Sequence, residues 1–250
     1  MRAGEYIMEK TNILKFISII FVIIAFISTF LFLRYKPGRI IDGYTQFGRT
    51  GFKQLEYPEE GEEIAVIKTS IGDIKIRLFP DAAPLAVANF KTLAKEGFYN
   101  GYAFDRVEED FFIKVRIIDS TKSIYGGYFK KEISDEYHHF TGAVGTQGSN
   151  EGNTSSFYII CNSGIEPAYL ELMSKIGEEY GYTPELIEAY KTFGGVPRLD
   201  GDYTIFGQVF YGMDTVFEIN KRPLVLDTDT GVTVDSIVIN SVEIVPYKKE

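Results

Sequence analysis

Beyond residue 62, apolar, β-branched and aromatic residues fall in short runs bounded by turn residues, a pattern that predicts strands. Residues 64–68 and 74–79 are two such runs, and Ser70-Ile71-Gly72-Asp73 between them predicts a hairpin. Further strands are predicted at 103–106, 111–118, 142–146, 157–161, 205–210 and 234–245. Elsewhere the spacing becomes helical. Asp81-Ala82-Ala83-Pro84 opens a helix with Asp81 as its cap and Pro84 in its first turn. Val87, Phe90, Leu93 and Ala94 then share a face, and Gly97 closes it. A second short helix is predicted from Met213 to Lys221. Between 166 and 195, Thr183-Pro184-Glu185 starts a helix whose Leu186, Ile187, Tyr190 and Phe193 line up, with Gly194 at its end. Residues 169–176 predict another helical piece. Short antiparallel strands with two helices imply a mainly β protein built as a closed barrel, which leaves no sheet edge exposed.

Residues 16–33 read FISIIFVIIAFISTFLFL, 18 residues without a charge. That length suits a transmembrane helix, and no small-x-small cleavage site follows it. Pro37 to Glu62 is rich in Gly and lacks apolar periodicity. The expected organisation is a membrane anchor at 1–36, a tether at 37–62 and one domain at 63–250 carrying a helical insertion at 166–195. Basic residues flank the span on both sides, so the positive-inside rule does not orient it. The first 40 residues carry net +4 and the rest −13, giving −9 for the whole chain. An acidic body excludes nucleic acid as the expected partner. With one cysteine, Cys161, and two adjacent histidines, His138 and His139, no intrachain disulfide, metal or cofactor is expected. Cys161 reads as a small buried hydrophobe at a strand end. His138 and His139 read as solvated loop residues. Gly145 to Gly152 lacks the lysine and helix start of a phosphate loop.

Three segments carry the functional signal: Phe104-Asp105-Arg106-Val107, Ser155-Ser156-Phe157-Tyr158-Ile159, and Leu199-Asp200-Gly201-Asp202-Tyr203-Thr204-Ile205-Phe206-Gly207. In this order, after the lead-in PDAAPLAVANFKTLAKEGFYNGYAFDRV, they resemble the pocket-forming segments of the cyclophilins, the cyclophilin-type peptidyl-prolyl cis-trans isomerases. The resemblance spans residues 63–245, interrupted by the insertion. It implies an eight-stranded barrel with two plug helices, and an enzyme that rotates X–Pro bonds in unfolded or exported polypeptides. It also implies a monomer, with the catalytic domain outside the cytoplasm.

Such rotation needs no nucleophile, proton transfer or metal. It must break amide resonance against about 18–20 kcal/mol, and a fixed donor near the prolyl nitrogen favours the twisted state. By the resemblance Arg106 is that donor. Phe111, Phe112, Tyr158, Leu199 and Phe206 match the apolar pocket, and Tyr203 stands where the family usually carries His. Taken singly, Arg106 would read as a surface ion pair with Asp105, Glu108 or Glu109, and each aromatic as core packing. The polar rim departs from the family. Lys114 replaces a substrate-holding Gln, Lys114-Val115-Arg116-Ile117 replacing Gln-Gly-Gly-Asp. Ser156 replaces a second Gln, and Thr146-Gln147 stands for Ala-Asn. Arg198 stands where the cyclosporin-sensitive members have Trp. The alternative expectation is a proline-peptide binding module or holdase with little turnover.

Overall fold

The computed structural model describes residues 51–249 except 118, 120–121, 223–224, 227–232 and 235–236. The expected span at 16–33, the anchor at 1–36 and residues 37–50 of the tether lie outside the described residues, as does Ile118 of the expected 111–118 strand. Among the described residues no helix is long and apolar enough to cross a membrane.

In chain order the strands are β1 (Glu63–Thr69), β2 (Asp73–Leu78), β3 (Phe104–Glu108), β4 (Phe112–Val115), β5 (Ala143–Ser149), β6 (Gly152–Ile160), β7 (Ile205–Tyr211), β8 (Val225–Leu226), β9 (Thr233–Val234) and β10 (Ile239–Pro246). The helices are α1 (Pro84–Lys95), α2 (Pro167–Ile176), α3 (Pro184–Phe193) and α4 (Met213–Asn220). Eight strands form one antiparallel sheet in the order β10-β1-β2-β7-β5-β6-β4-β3, while β8 and β9 pair as a separate ribbon. The sheet curls until its ends meet, but among the described residues the expected closed ladder is not formed. The seam is one bridge, Ala103 opposite Val238, supported by Phe104 N–H donating to Ile237 O (3.0 Å) and Ile239 N–H to Tyr102 O (2.8 Å). The two end strands meet only where the chain enters them, so a full ladder has no room to form.

Several boundaries move for local reasons. The 111–118 expectation shortens to β4 because Phe111 lies in the turn after β3, its N–H donating to Glu108 O at 3.1 Å. The 234–245 expectation divides between β9 and β10. β6 starts at Gly152, before the expected Phe157. Asp81 does not cap α1. The first-turn N–H groups of Leu85 and Ala86 donate instead to the Glu132 carboxylate, both at 2.9 Å, while Asp81 pairs with Lys53 and the Tyr137 hydroxyl. An acidic side chain suits that end of the helix from either direction in sequence.

α1 fills the barrel with Ala86, Val87, Phe90, Leu93 and Ala94. The Phe90 ring lies 5.5 Å from Phe157 and 5.1 Å from Phe206, centre to centre. Truncating a ring so enclosed costs about 3–5 kcal/mol. The 166–195 segment is helical, as its spacing predicts. Thr183 caps α3 through Leu186 N–H (3.2 Å), and Gly194 ends it at φ 72°, where a side chain would lie 2.7 Å from Asn162 O. Its Met173, Leu186, Ala189 and Tyr190 form an outer cluster with Leu55, Ile64, Val66, Phe140 and Phe210. Gln54 is fully buried between the His138 backbone and the Gln208 side chain. The folded body therefore starts before residue 62.

Candidate active site

One row of residues crosses four strands and lays out the site. Arg106 on β3 lies opposite Lys114 on β4, Lys114 opposite Tyr158 on β6, and Tyr158 opposite Gly145 on β5. Strand alternation puts Ile113, Val115, Phe157 and Ile159 into the core, and a register shift between Phe104 and Arg106 leaves Phe104 in the core while Arg106 faces outward with the rest of the row. Arg106, Lys114 and Tyr158 line a cleft of about 280 Å³ together with Glu108, Phe111, Phe112, Gln147, Gly148, Arg198, Leu199 and Tyr203.

The floor is apolar. Consecutive residues of a strand point to opposite faces, yet Phe111 and Phe112 both line the cleft. They do so because Phe111 belongs to the turn, where Asp110 takes the left-handed conformation at φ 53°. Asn220 of α4 accepts from Asp110 N–H at 3.0 Å and Asn162 donates to Asp110 O at 2.8 Å, which pins that turn. The Phe111 and Phe112 rings are 4.6 Å apart, and Tyr158 lies 6.2 Å from Phe112 and edge-on to Tyr203 at 6.5 Å.

The rim is cationic. Arg106 Nη2 and Nε donate to Glu108 Oε1 at 2.7 and 3.1 Å, and the guanidinium lies 6.0 Å from the Phe112 ring centre. Arg198 stacks over Phe111 at 4.7 Å and Lys131 over Tyr203 at 5.5 Å. Lys114 is only 6% exposed, and its side chain makes no hydrogen bond or ion pair with another described residue. Burial, and then the Arg106 charge, lower its ammonium to about 8. Like charges opposite each other destabilise a sheet, so this pair works against the fold.

His138 and His139 are not solvated, contrary to the sequence expectation. His139 is fully buried: its Nδ1 faces Asp200 Oδ1 at 2.8 Å and its Nε2 faces the Tyr158 hydroxyl at 2.9 Å. Asp200 also receives His139 N–H (2.8 Å), His138 Nδ1 (3.1 Å) and the Tyr190 hydroxyl (2.5 Å). Burial pushes the Asp200 carboxyl up, but hydrogen bonds from His138, His139 and Tyr190 outweigh it and bring the group to about 2. Burial, then Tyr203 and Asp200, hold the Tyr158 hydroxyl well above its ordinary value, so it stays a neutral donor. With Nδ1 donating to Asp200, Nε2 of His139 is placed to accept from the Tyr158 hydroxyl. Gly145 completes the arrangement, because any side chain there would collide with the tip of the Tyr158 ring. Through Tyr190 the insertion is thereby tied to the cleft floor.

Of the sequence-derived site residues, Arg106, Phe111, Phe112, Lys114, Gln147, Tyr158, Leu199 and Tyr203 converge on the cleft. Three do not. Phe206 is fully buried against Phe90, because it faces inward from β7. Ser156 is spent on the backbone of Ile117, accepting at 2.7 Å and donating at 3.2 Å. The Thr146 side chain is buried beneath the rim. Cys161 is buried at the end of β6, where desolvation raises its thiol.

The family described as "Cyclophilin type peptidyl-prolyl cis-trans isomerase/CLD" matches residues 64–244. A Staphylococcus saprophyticus protein whose name assigns it to the peptidyl-prolyl cis-trans isomerases is 34% identical over 203 residues, covering 76% of this chain and 98% of its own. A Streptococcus pyogenes protein named for a bifunctional phosphatase/peptidyl-prolyl cis-trans isomerase is 35% identical over 201 residues; the match covers 77% of this chain but 41% of that one. The crystal structure of a Cryptosporidium parvum cyclophilin with the dipeptide ala-pro superposes with a TM-score of 0.53 at 24% identity, covering 74% of this chain and 99% of the other. That likeness bears on the fold alone. The cleft geometry, the family match and the relatives agree: the chain belongs to the cyclophilin-type peptidyl-prolyl cis-trans isomerases and is an enzyme of that isomerase class.

Proposed function

We propose that the cleft rotates X–Pro bonds in unfolded or exported polypeptides, with Arg106 as the principal donor. The observation that carries this is a guanidinium standing beside an apolar slot of Phe111, Phe112, Tyr158 and Leu199. The proline ring rests on that floor, while Gln147 and Lys114 anchor the flanking backbone. As the bond twists, the prolyl nitrogen loses its resonance and becomes a better acceptor, and Arg106 donates to it. Glu108 engages two of the guanidinium N–H groups and holds its plane. An arginine has five, so three remain for substrate. A donor held in place before reaction stabilises the twisted state without reorganisation. No proton or electron changes hands.

We also propose that residues 16–33 hold the domain at a membrane, facing exported chains, which their uncharged length supports. Mass spectrometry of the native protein should then recover peptides from the first 15 residues in the membrane fraction. A soluble mature protein beginning after residue 33 would sink that proposal.

The change at Lys114–Arg116, where the family by resemblance carries Gln-Gly-Gly, favours a second reading, a proline-peptide binding module or holdase with little turnover. Exchange spectroscopy on an Ala-Pro peptide with the full-length protein separates the two. Catalysed cis–trans exchange supports the isomerase, and binding without exchange supports the holdase.

A further inference from the structure

We propose that the cleft selects proline-containing segments with an acidic side chain within one residue of the proline, the carboxylate being received by Lys114 and Arg106. This rests on the cleft being the proline site. Lys114 is the carrying observation: an amine on a side chain more than nine-tenths buried, reaching the cleft with no hydrogen bond or ion pair to any described residue. Its stem is buried while its amine opens into the cleft, so the cation is held where an arriving anion meets it in a partly desolvated setting. On the sheet Lys114 stands directly between Arg106 and Tyr158, two residues along β4 from Phe112. An anion there is one residue's reach from a proline ring on the floor, since strand neighbours rise about 3.3 Å each.

The charge around the cleft points the same way. Arg106, Lys114 and Arg198 line it against one carboxylate, Glu108, and Lys131 borders it over Tyr203. The chain as a whole carries net −9. A cationic cleft in an acidic body focuses its field on an approaching anion and repels it elsewhere. The groups facing Lys114 are Asp105, Arg106 and Glu108 from β3, Arg116 beyond its own strand, and Tyr158 from β6. With its ammonium at about 8, selection should hold below that pH and fade above it as the amine loses its charge.

The test is catalysed exchange by the full-length protein on two peptide series, X-Pro and Pro-X, with X as Glu, Gln or Lys. In at least one series the Glu peptide should exceed the Gln peptide in kcat/KM by about tenfold, the worth of one charge-assisted hydrogen bond. The difference should lie in KM, and the Lys peptide should be poorest. Added salt should shrink the gap in the wild-type protein. Lys114→Gln should lower the Glu-to-Gln ratio severalfold toward what Arg106 alone supplies, since the lysine's charge is gone while the arginine's remains. Lys114→Arg should keep the preference and carry it above pH 8. Equal rates for Glu, Gln and Lys in both series would overturn the inference while leaving the isomerase intact. If no peptide is turned over, the isomerase reading fails separately. Titration of the same peptides then decides selection, with equal Kd for Glu and Gln again overturning it.

Discussion

Below the cleft, Tyr158 is 7% exposed and rests on Phe79, Tyr137, Ala143, Ile160, Val196 and Ile205, with its hydroxyl bound to His139. Above it, the Arg106 side chain is 57% exposed and Lys114 pairs with nothing among the described residues. The floor is satisfied twice, by packing and by a hydrogen-bonded chain running through Asp200 to the insertion. The rim leaves Lys114 unpaired among the described residues and sets it opposite a second cation, Arg106. Side chains that serve folding find their partners within the fold, whereas those waiting for a ligand keep a conflict that the ligand resolves. On the proposed function the floor supplies shape and affinity, and the rim supplies the donor and the selectivity.

The largest expected effect breaks the floor. Asp200→Ala leaves His138, His139 and Tyr190 without their shared acceptor, and should cost about 3–5 kcal/mol in chemical denaturation. A loss below about 1 kcal/mol, the net worth of a single hydrogen bond, would show that packing alone holds the floor. The next sharpens the rim. By the resemblance, Arg198 stands where an indole donor would meet cyclosporin, and Lys114 where a Gln would. Two lost hydrogen bonds at about 1–3 kcal/mol each predict binding weaker by about two orders of magnitude. Nanomolar inhibition in a titration would contradict the rim as described.

Tyr158→Phe keeps the ring but leaves His139 Nε2 unpaired in the interior, and should lower stability by about 1–3 kcal/mol. Proline-peptide affinity, read by titration, should move far less, because the slot keeps its face. Tyr190→Phe removes one of four donors to Asp200, and the denaturation midpoint should register about 0.5–1.5 kcal/mol. The same network has a pH signature. A carboxyl held at about 2 when folded, against about 4 when unfolded, contributes stability above pH 4 that is lost as pH falls from about 4 toward 2. Asp200→Asn should flatten the acid denaturation curve in that window.

Strand runs, the α1 face and the three pocket segments were legible in the sequence because they depend on local spacing and order. Eight of the eleven site residues converge on the cleft: Phe112, Lys114 and Tyr158 by alternation along β4 and β6, Arg106 through the register shift in β3, and Phe111, Gln147, Leu199 and Tyr203 from β5 and the connecting turns. Phe206 was misread because its neighbours in sequence line the pocket while β7 turns its own ring to the core. Ser156 went to a backbone bond with Ile117, a partner that only tertiary structure supplies. The histidines were misread because their partner, Asp200, is 61 residues away from His139. A signal did exist. A tyrosine in an apolar slot needs somewhere to put its hydroxyl, and Gly145 with a nearby histidine supplied it. The seam between β3 and β10 and the Glu132 cap on α1 are long-range pairings that no local pattern carries.

The division between floor and rim is tested most directly by Arg106→Ala in exchange spectroscopy that reports binding and turnover of one Pro peptide together. Removing a single preorganised donor should lower exchange by about 10²–10³ while the peptide still binds the intact floor. Arg106→Lys should recover little, because the planar fork is lost. Exchange by Arg106→Ala equal to that of the wild-type protein would contradict the account.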